Sequence, residues 1–366
     1  MPLRRALEQV DPYRPQPPMR VLAERHGLGE IVKLGSNEGA FGPLPEAVVA
    51  YEAAAAELNR YPDAGAGALR AGIAERYGVP PEQVIPGNGA DELIRLCGAA
   101  VLDAGDAAVF PWPSFPSYVA AAAVHGAAAV RVPLRDRRFD LEAVLEACSR
   151  PAPGGGRVRV VFLANPNNPT GTLMAREEVR GFLDALPDRI LCVLDEAYAD
   201  YADEEPEGPA LVGEGHGRLC VLRTFSKVYG LAALRVGYAL ASPEVADALD
   251  RVRPVFNLNQ PAQDAAVASL GTSVADRVEH ARAARARLFA ELGGAGLDPI
   301  ASRANFVYAD VPGGDGEGLA ERLLQEGFIV RALRGFGAPG AIRVTCGTDE
   351  ENAAFVEALA RVRAAA

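Results

Sequence analysis

The chain has 366 residues, 49% of them apolar and 23% charged, a balance ordinary for a globular protein long enough to bury a large core. Its net charge of −11 argues against nucleic acid as a partner, because phosphate backbones favour basic faces. No apolar run reaches the roughly 20 residues of a membrane span, and no apolar stretch of a secretory signal follows Arg4-Arg5, so no membrane association and a cytoplasmic location are expected.

Residues 1–42 are rich in Pro and Gly and read as an N-terminal arm with little regular structure, contributing in part to a smaller domain. Across residues 43–255 the pattern alternates. Helix-like stretches rich in Ala, Leu, Glu and Arg, such as 45–58 and 92–102, separate short apolar runs at 107–110, 158–163, 190–194 and 219–222. This alternation predicts a large α/β domain whose mostly parallel sheet is covered on both faces. Residues 256–366 read as a smaller α+β domain. They begin with a long Ala/Arg-rich helix at 273–292, followed by a strand at 305–309, a helix at 318–325, strands at 328–331 and 342–345, and a closing helix.

The five cysteines are scattered without CxxC spacing, and the four histidines form no ligand pattern, so neither disulfides nor a metal site is expected. The basic residues are more informative. Of 37, only Lys33 and Lys227 are lysine. Arginine serves most surface ion pairs but cannot form a Schiff base, whereas a lysine amine can. Lys33 is adequately read as a surface residue; for Lys227 the surroundings decide.

In open α/β sheets ligands collect beyond the carboxyl ends of the strands, and four polar clusters fall at such places. Gly87-Asn88-Gly89-Ala90-Asp91-Glu92 follows a short apolar run at 83–85 and opens a helix, where free N–H groups bind phosphate. Asn165-Pro166-Asn167-Asn168-Pro169-Thr170-Gly171 follows the 158–163 run and fixes a rigid loop that aims an amide. Asp195-Glu196-Ala197-Tyr198 follows the 190–194 run, and its carboxylate suits a protonated pyridine nitrogen. Thr224-Phe225-Ser226-Lys227, with Arg235 beyond it, supplies a hydroxyl and a guanidinium for phosphate and an amine for an aldehyde. Each alone has a plainer reading as a turn, a rigid loop, a helix cap or a solvated lysine. Together, in this order, they suit pyridoxal 5′-phosphate.

The sequence here resembles the fold-type I pyridoxal-phosphate-dependent aminotransferases, and within them the histidinol-phosphate aminotransferase family. The similarity spans nearly the whole chain. Besides the clusters above, it rests on Tyr13-Arg14-Pro15, Lys33-Leu34-Gly35-Ser36-Asn37-Glu38, Arg60-Tyr61-Pro62-Asp63, Pro113-Ser114-Phe115-Pro116-Ser117-Tyr118, Arg303-Ala304-Asn305-Phe306 and Ile342-Arg343-Val344-Thr345-Cys346-Gly347-Thr348. The chain departs from the family pattern at Gly39-Ala40 and in the Phe256-Asn257-Leu258-Asn259-Gln260 run, both near the substrate pocket.

The resemblance implies the fold of those transferases, with a seven-stranded-type sheet, and a role for each matching residue. Lys227 would carry the cofactor and shuttle a proton, and Asp195 would keep the pyridine nitrogen protonated. Tyr198 and Asn168 would bind the ring oxygen, and Phe115 would stack on the ring. Gly89, Ala90, Asp91, Ser226 and Arg235 would hold the phosphate, joined by Tyr61 from a second subunit, which implies a homodimer. Arg331 and Arg343 would meet the anionic end of the substrate, with Tyr13 and Asn37 as pocket wall. The implied reaction is transamination of L-histidinol phosphate with 2-oxoglutarate in histidine biosynthesis. Rival readings are an aromatic amino-acid aminotransferase, a threonine-phosphate decarboxylase-like enzyme and a ligand-sensing domain of a transcription regulator. The last is disfavoured because no basic helix-turn-helix segment precedes residue 40.

Overall fold

The computed structural model describes residues 8, 18–204 and 206–365. After a short strand β1 (Val32–Lys33), the chain builds a seven-stranded sheet from β2 (Val84–Gly87), β3 (Ala107–Trp112), β4 (Ala128–Pro133), β5 (Val158–Ala164), β6 (Leu191–Asp195), β7 (Leu219–Thr224) and β8 (Gly237–Ala241). Their order is β2-β8-β7-β6-β5-β3-β4. All run parallel except β8, which is antiparallel to both its neighbours.

Successive side chains of a strand point to opposite faces, and here both faces are apolar. Val109, Leu163, Leu194 and Val221 enter one core cluster. Phe110, Phe162, Val193 and Leu222 enter the other. A parallel sheet buried on both sides needs this continuous apolar composition, which is why the runs were visible in the sequence. Two strands were not: β4 is rich in alanine, and β8 reads Gly-Tyr-Ala-Leu-Ala. Neither has the β-branched composition that marks a strand by itself; pairing with β3 and with β7 makes them strands.

The C-terminal part carries β9 (Asp298–Pro299), β10 (Phe306–Asp310), β11 (Phe328–Ile329), β12 (Arg331–Ala332) and β13 (Ala341–Thr345), and four of these form the antiparallel sheet β12-β13-β10-β9. The helices Ala275–Gly294, Gly316–Gln325 and Asp349–Ala364 pack over it around a core that includes Leu288, Val307, Leu323 and Phe355. No helix among the described residues is long and apolar enough to cross a membrane.

Two expectations are corrected. The run 328–331 is two strands, not one: β11 pairs in parallel with β1, and β12 pairs with β13 in a different sheet. Hydrophobic pattern is blind to this change of partner, because Val330 between the two strands is buried like its neighbours. The arm is also more regular than expected. It contains the helix Met19–His26, closed by Gly27 in the left-handed region at φ 66°, and β1, whose strand character comes from a partner nearly 300 residues away. Leu34, just after β1, belongs to the C-terminal core.

Candidate active site

Because β8 runs against its neighbours, β2, β3, β5, β6 and β7 all end at one edge of the sheet. A cavity of about 400 Å³ lies there, closed from the other side by residues of β12 and β13.

Asp195 is the last residue of β6, 6% exposed. Its Oδ2 accepts from the Tyr118 hydroxyl at 2.8 Å and its Oδ1 from the Ala197 N–H at 3.1 Å. Burial pushes its carboxyl above the usual range, opposed by the Tyr118 hydroxyl, the Ala197 N–H and the Lys227 charge. A carboxylate placed there suits a cationic hydrogen-bond donor in the cavity.

Tyr198 turns its hydroxyl to Asn37 Nδ2, which donates at 3.0 Å, and to Asn168 Nδ2, which donates at 3.4 Å. Asn168 is aimed by its loop: Asn167 Nδ2 donates to Thr170 Oγ1 at 2.8 Å, and Asn165 Oδ1 accepts from the Met174 N–H at 2.8 Å. Gly171 closes the loop at φ 74°, where a Cβ would stand 2.1 Å from Ser302 Oγ. Asn37 is buried in the left-handed region at φ 55° and is tied to Thr345, whose hydroxyl donates to Asn37 Oδ1 at 3.1 Å. The arm thus forms part of the wall.

Lys227 follows β7 and is half-buried, its Nζ 5.3 Å from the centre of the Tyr198 ring. Among the described residues no hydrogen bond or ion pair engages its amine. Lys33 has a different fate, pairing with Glu38 at 2.8 Å near the surface.

Arg235 sits in the left-handed region at φ 55° and donates to Ser226 Oγ at 3.4 Å. No carboxylate among the described residues pairs with it. Gly89 precedes the helix Ala90–Val101 at φ 78°, and a Cβ there would stand 2.5 Å from Arg235 Nη2. The Asp91 side chain is taken by the Ser117 hydroxyl and Arg95, which leaves the backbone of this helix start as the donor.

Arg331 and Arg343 face each other across β12 and β13. Arg343 is 3% exposed and lies against the rings of Phe306 and Phe336, each centre 5.2 Å from its guanidinium carbon. It donates to Asn168 Oδ1 and to the Gly35 carbonyl, while its Nε has no partner. Burial holds its pKa down to about 10; Tyr198 opposes the shift and Arg331 adds to it.

The cavity therefore gathers Ala90, Asp91, Phe115, Asn168, Asp195, Tyr198, Ser226, Lys227, Arg235, Arg331 and Arg343. Asn37 stands behind it through Tyr198. Tyr61 does not join them: it is 82% exposed, stacked on Phe256 with centres 4.5 Å apart, beside a separate cavity. Tyr13 lies outside the described residues. Tyr118, Thr345, Phe306 and Phe336 were given no role from sequence. The first three stand inside or beside the quoted motifs, and Phe336 had no signal.

The chain matches the family described as "Aminotransferase class I and II" over residues 29–359. It is 44% identical to a histidinol-phosphate aminotransferase of Anaeromyxobacter sp. (strain Fw109-5), covering 96% of each chain. It is 39% identical to one of Moorella thermoacetica, covering 99% of this chain and 93% of that one. Among solved structures, the histidinol-phosphate aminotransferase from Sinorhizobium meliloti in complex with pyridoxal-5′-phosphate superposes with a TM-score of 0.89 at 30% identity, over 100% of this chain and 98% of that one. The chain belongs to the class I and II aminotransferases.

As a member it is a pyridoxal-phosphate-dependent enzyme of the transferase fold expected from its motifs. The residues of this aminotransferase fit the cofactor on their own terms. Arg235 is a cation lacking a carboxylate partner among the described residues, set against a glycine where a side chain would displace it. Asp195 is a buried carboxylate facing the cavity, and Lys227 presents an unengaged amine in the same cavity.

Proposed function

We propose that this aminotransferase moves the amino group of L-histidinol phosphate to 2-oxoglutarate, giving imidazole-acetol phosphate and L-glutamate, a step of histidine biosynthesis. The observation that carries the reading is Arg343, a buried guanidinium without a carboxylate partner among the described residues, in the same cavity as Lys227. A cation in such a place gains from an anionic ligand, and donor and acceptor both bring one. The names of the similar proteins support the donor.

Pyridoxal phosphate, when bound, supplies an electron sink for charge at the substrate carbon that bears the amino group. The chain's own groups do the rest. Lys227 would hold the aldehyde carbon through Nζ until the substrate amine takes its place there, and the released Nζ would then move the proton at the substrate carbon. Asp195 keeps the ring nitrogen protonated. The Tyr198 hydroxyl and Asn168 amide bind the ring oxygen, and Phe115 covers the ring face. The N–H groups after Gly89, at Ala90 and Asp91, hold the phosphate with the Ser226 hydroxyl and Arg235. Arg331 and Arg343 receive the substrate anion, and Asn37 forms pocket wall.

The same reading makes the enzyme a homodimer in which Tyr61 reaches the phosphate of the other copy's site. Its exposure, its stacking on Phe256 and the neighbouring exposed Leu58 and Val255 support this. It also divides the chain into a large unit at residues 43–255 and a smaller one at 256–366, with 1–42 as arm.

The test is single-turnover conversion of the holoenzyme, followed in the cofactor's visible absorbance, with L-histidinol phosphate, L-phenylalanine and O-phospho-L-threonine offered separately. Fast conversion by histidinol phosphate alone is expected, and Lys227→Ala converts none of them. Preference for phenylalanine would replace the donor and leave the site chemistry standing.

A further inference from the structure

The structure assigns to Tyr118 the task of positioning Asp195 and keeping it ionised, so that one buried phenol governs how firmly the carboxylate holds the cofactor's ring nitrogen. The inference rests on the proposed role of Asp195.

Tyr118 opens the helix Ser117–Ala123 and is wholly buried. Its ring lies parallel to Phe162 of β5, centres 4.9 Å apart at 5°, and meets the Phe110 ring of β3 at 5.9 Å. Such packing leaves the ring one position, and from there the hydroxyl donates to Asp195 Oδ2 at 2.8 Å. Because the Ala197 N–H takes Oδ1, both carboxylate oxygens are fixed from behind and their remaining lone pairs are left to the cavity that Asp195 lines.

The bond also has an electrostatic sense. A hydroxyl donating to a carboxylate favours its charged form, and this one opposes the burial that would neutralise Asp195. The phenol stays protonated, since burial and the neighbouring carboxylate push its ionisation well up. The same ring makes a T-shaped contact with Phe115 at 83°, centres 5.9 Å apart. One side chain therefore sets the place of both the proposed ring-face and ring-nitrogen contacts, while the Ser117 hydroxyl ties the start of its helix to Asp91.

The experiment compares Tyr118→Phe, Asp195→Asn and the double variant as apoproteins. Each is titrated with pyridoxal phosphate through quenching of Trp112, the only tryptophan, and the visible band of each loaded protein is titrated with pH. Tyr118→Phe keeps the ring packing, so its apoprotein should stay folded and melt somewhat lower near neutral pH, with the gap to the parent closing as Asp195 is protonated at low pH. It should bind the cofactor roughly 10-fold more weakly, as expected for loss of a hydrogen bond to a charged group, with the pH midpoint of the band displaced. In the double variant the Tyr118 change should add nothing to Asp195→Asn, because it acts through that carboxylate. Unchanged affinity and band in Tyr118→Phe, with a clear effect of Asp195→Asn, overturns the inference alone. Additive losses overturn it too, showing a structural role. An inert Asp195→Asn overturns the reading of Asp195 and this inference with it.

Discussion

Arg235 and Gly89 share one volume: a Cβ on Gly89 would stand 2.5 Å from Arg235 Nη2. The cation proposed to hold the phosphate occupies space that any other residue at 89 would need. Gly89→Ala therefore has to displace the guanidinium and also hold φ 78° with ψ 167°, a backbone region essentially confined to glycine that costs other residues about 1–3 kcal/mol. The expected result is cofactor affinity lower by roughly 10-fold or more, as for a lost charge-assisted contact, measured by equilibrium titration of the apoprotein. Gly181→Ala is the control. Nothing lies within 4 Å of its added carbon, so in mid-helix it should leave affinity alone and raise Tm slightly.

Asp195 supports a prediction about stability. Burial raises its carboxyl above the unfolded value of about 3.9. As pH falls the native protein takes up this proton before the unfolded chain does, so ionised Asp195 weighs against folding at neutral pH, and the penalty fades as pH drops through the raised pKa. Asp195→Asn should accordingly melt higher than the parent as apoprotein near pH ~7.5, and the gap should close toward pH ~4. Calorimetry of the two apoproteins across this range checks the sign. A variant less stable at neutral pH would mean that Tyr118, Ala197 and Lys227 more than offset the burial.

The same residues show what was legible in the sequence. Asp195 and Lys227 each follow a continuous apolar run, and the fully buried parallel strand that such a run implies ends where ligands bind. Gly89 and Asn168 lie in clusters whose glycines and prolines constrain the backbone locally. Tyr118 was quoted within a motif, but its hydroxyl meets a carboxylate 77 positions later, and nothing local in the sequence encodes that meeting. Asn37 was read as pocket wall, whereas its bonds to Tyr198 and Thr345 exist only because β1 adds to β11. Strand pairings between distant segments, like the change of sheet at Val330, are set by packing rather than by periodicity.

Arg343 is read as the site shared by both substrates. Arg343→Gln should lower kcat/KM by roughly 10- to 100-fold for the phosphorylated donor and for glutamate alike, the range for loss of a hydrogen-bonded charge. Separate single-turnover measurements of the two half-reactions decide this, and damage confined to one would refute the shared site. Burial weakens this guanidinium's hold on its proton, yet arginine keeps its charge across the working pH range, so the loss in the Gln variant should be of similar size at pH ~7 and pH ~9.

Tyr61 tests the assembly. Within its own chain it points away from the cavity and stacks on Phe256, so a role at the phosphate requires a second copy. Tyr61→Phe removes only the hydroxyl and should weaken cofactor binding by roughly 10-fold, as for a hydrogen bond to a charged acceptor. The decisive measurement uses hybrids of two impaired chains, Lys227→Ala and Tyr61→Ala, mixed after reversible dissociation and assayed at limiting cofactor. If the tyrosine crosses, each hybrid joins an intact Lys227 in one chain to an intact Tyr61 in the other and so contains one complete site, and activity rises above that of either parent. If Tyr61 served its own chain, no hybrid site would be complete and mixing would restore nothing.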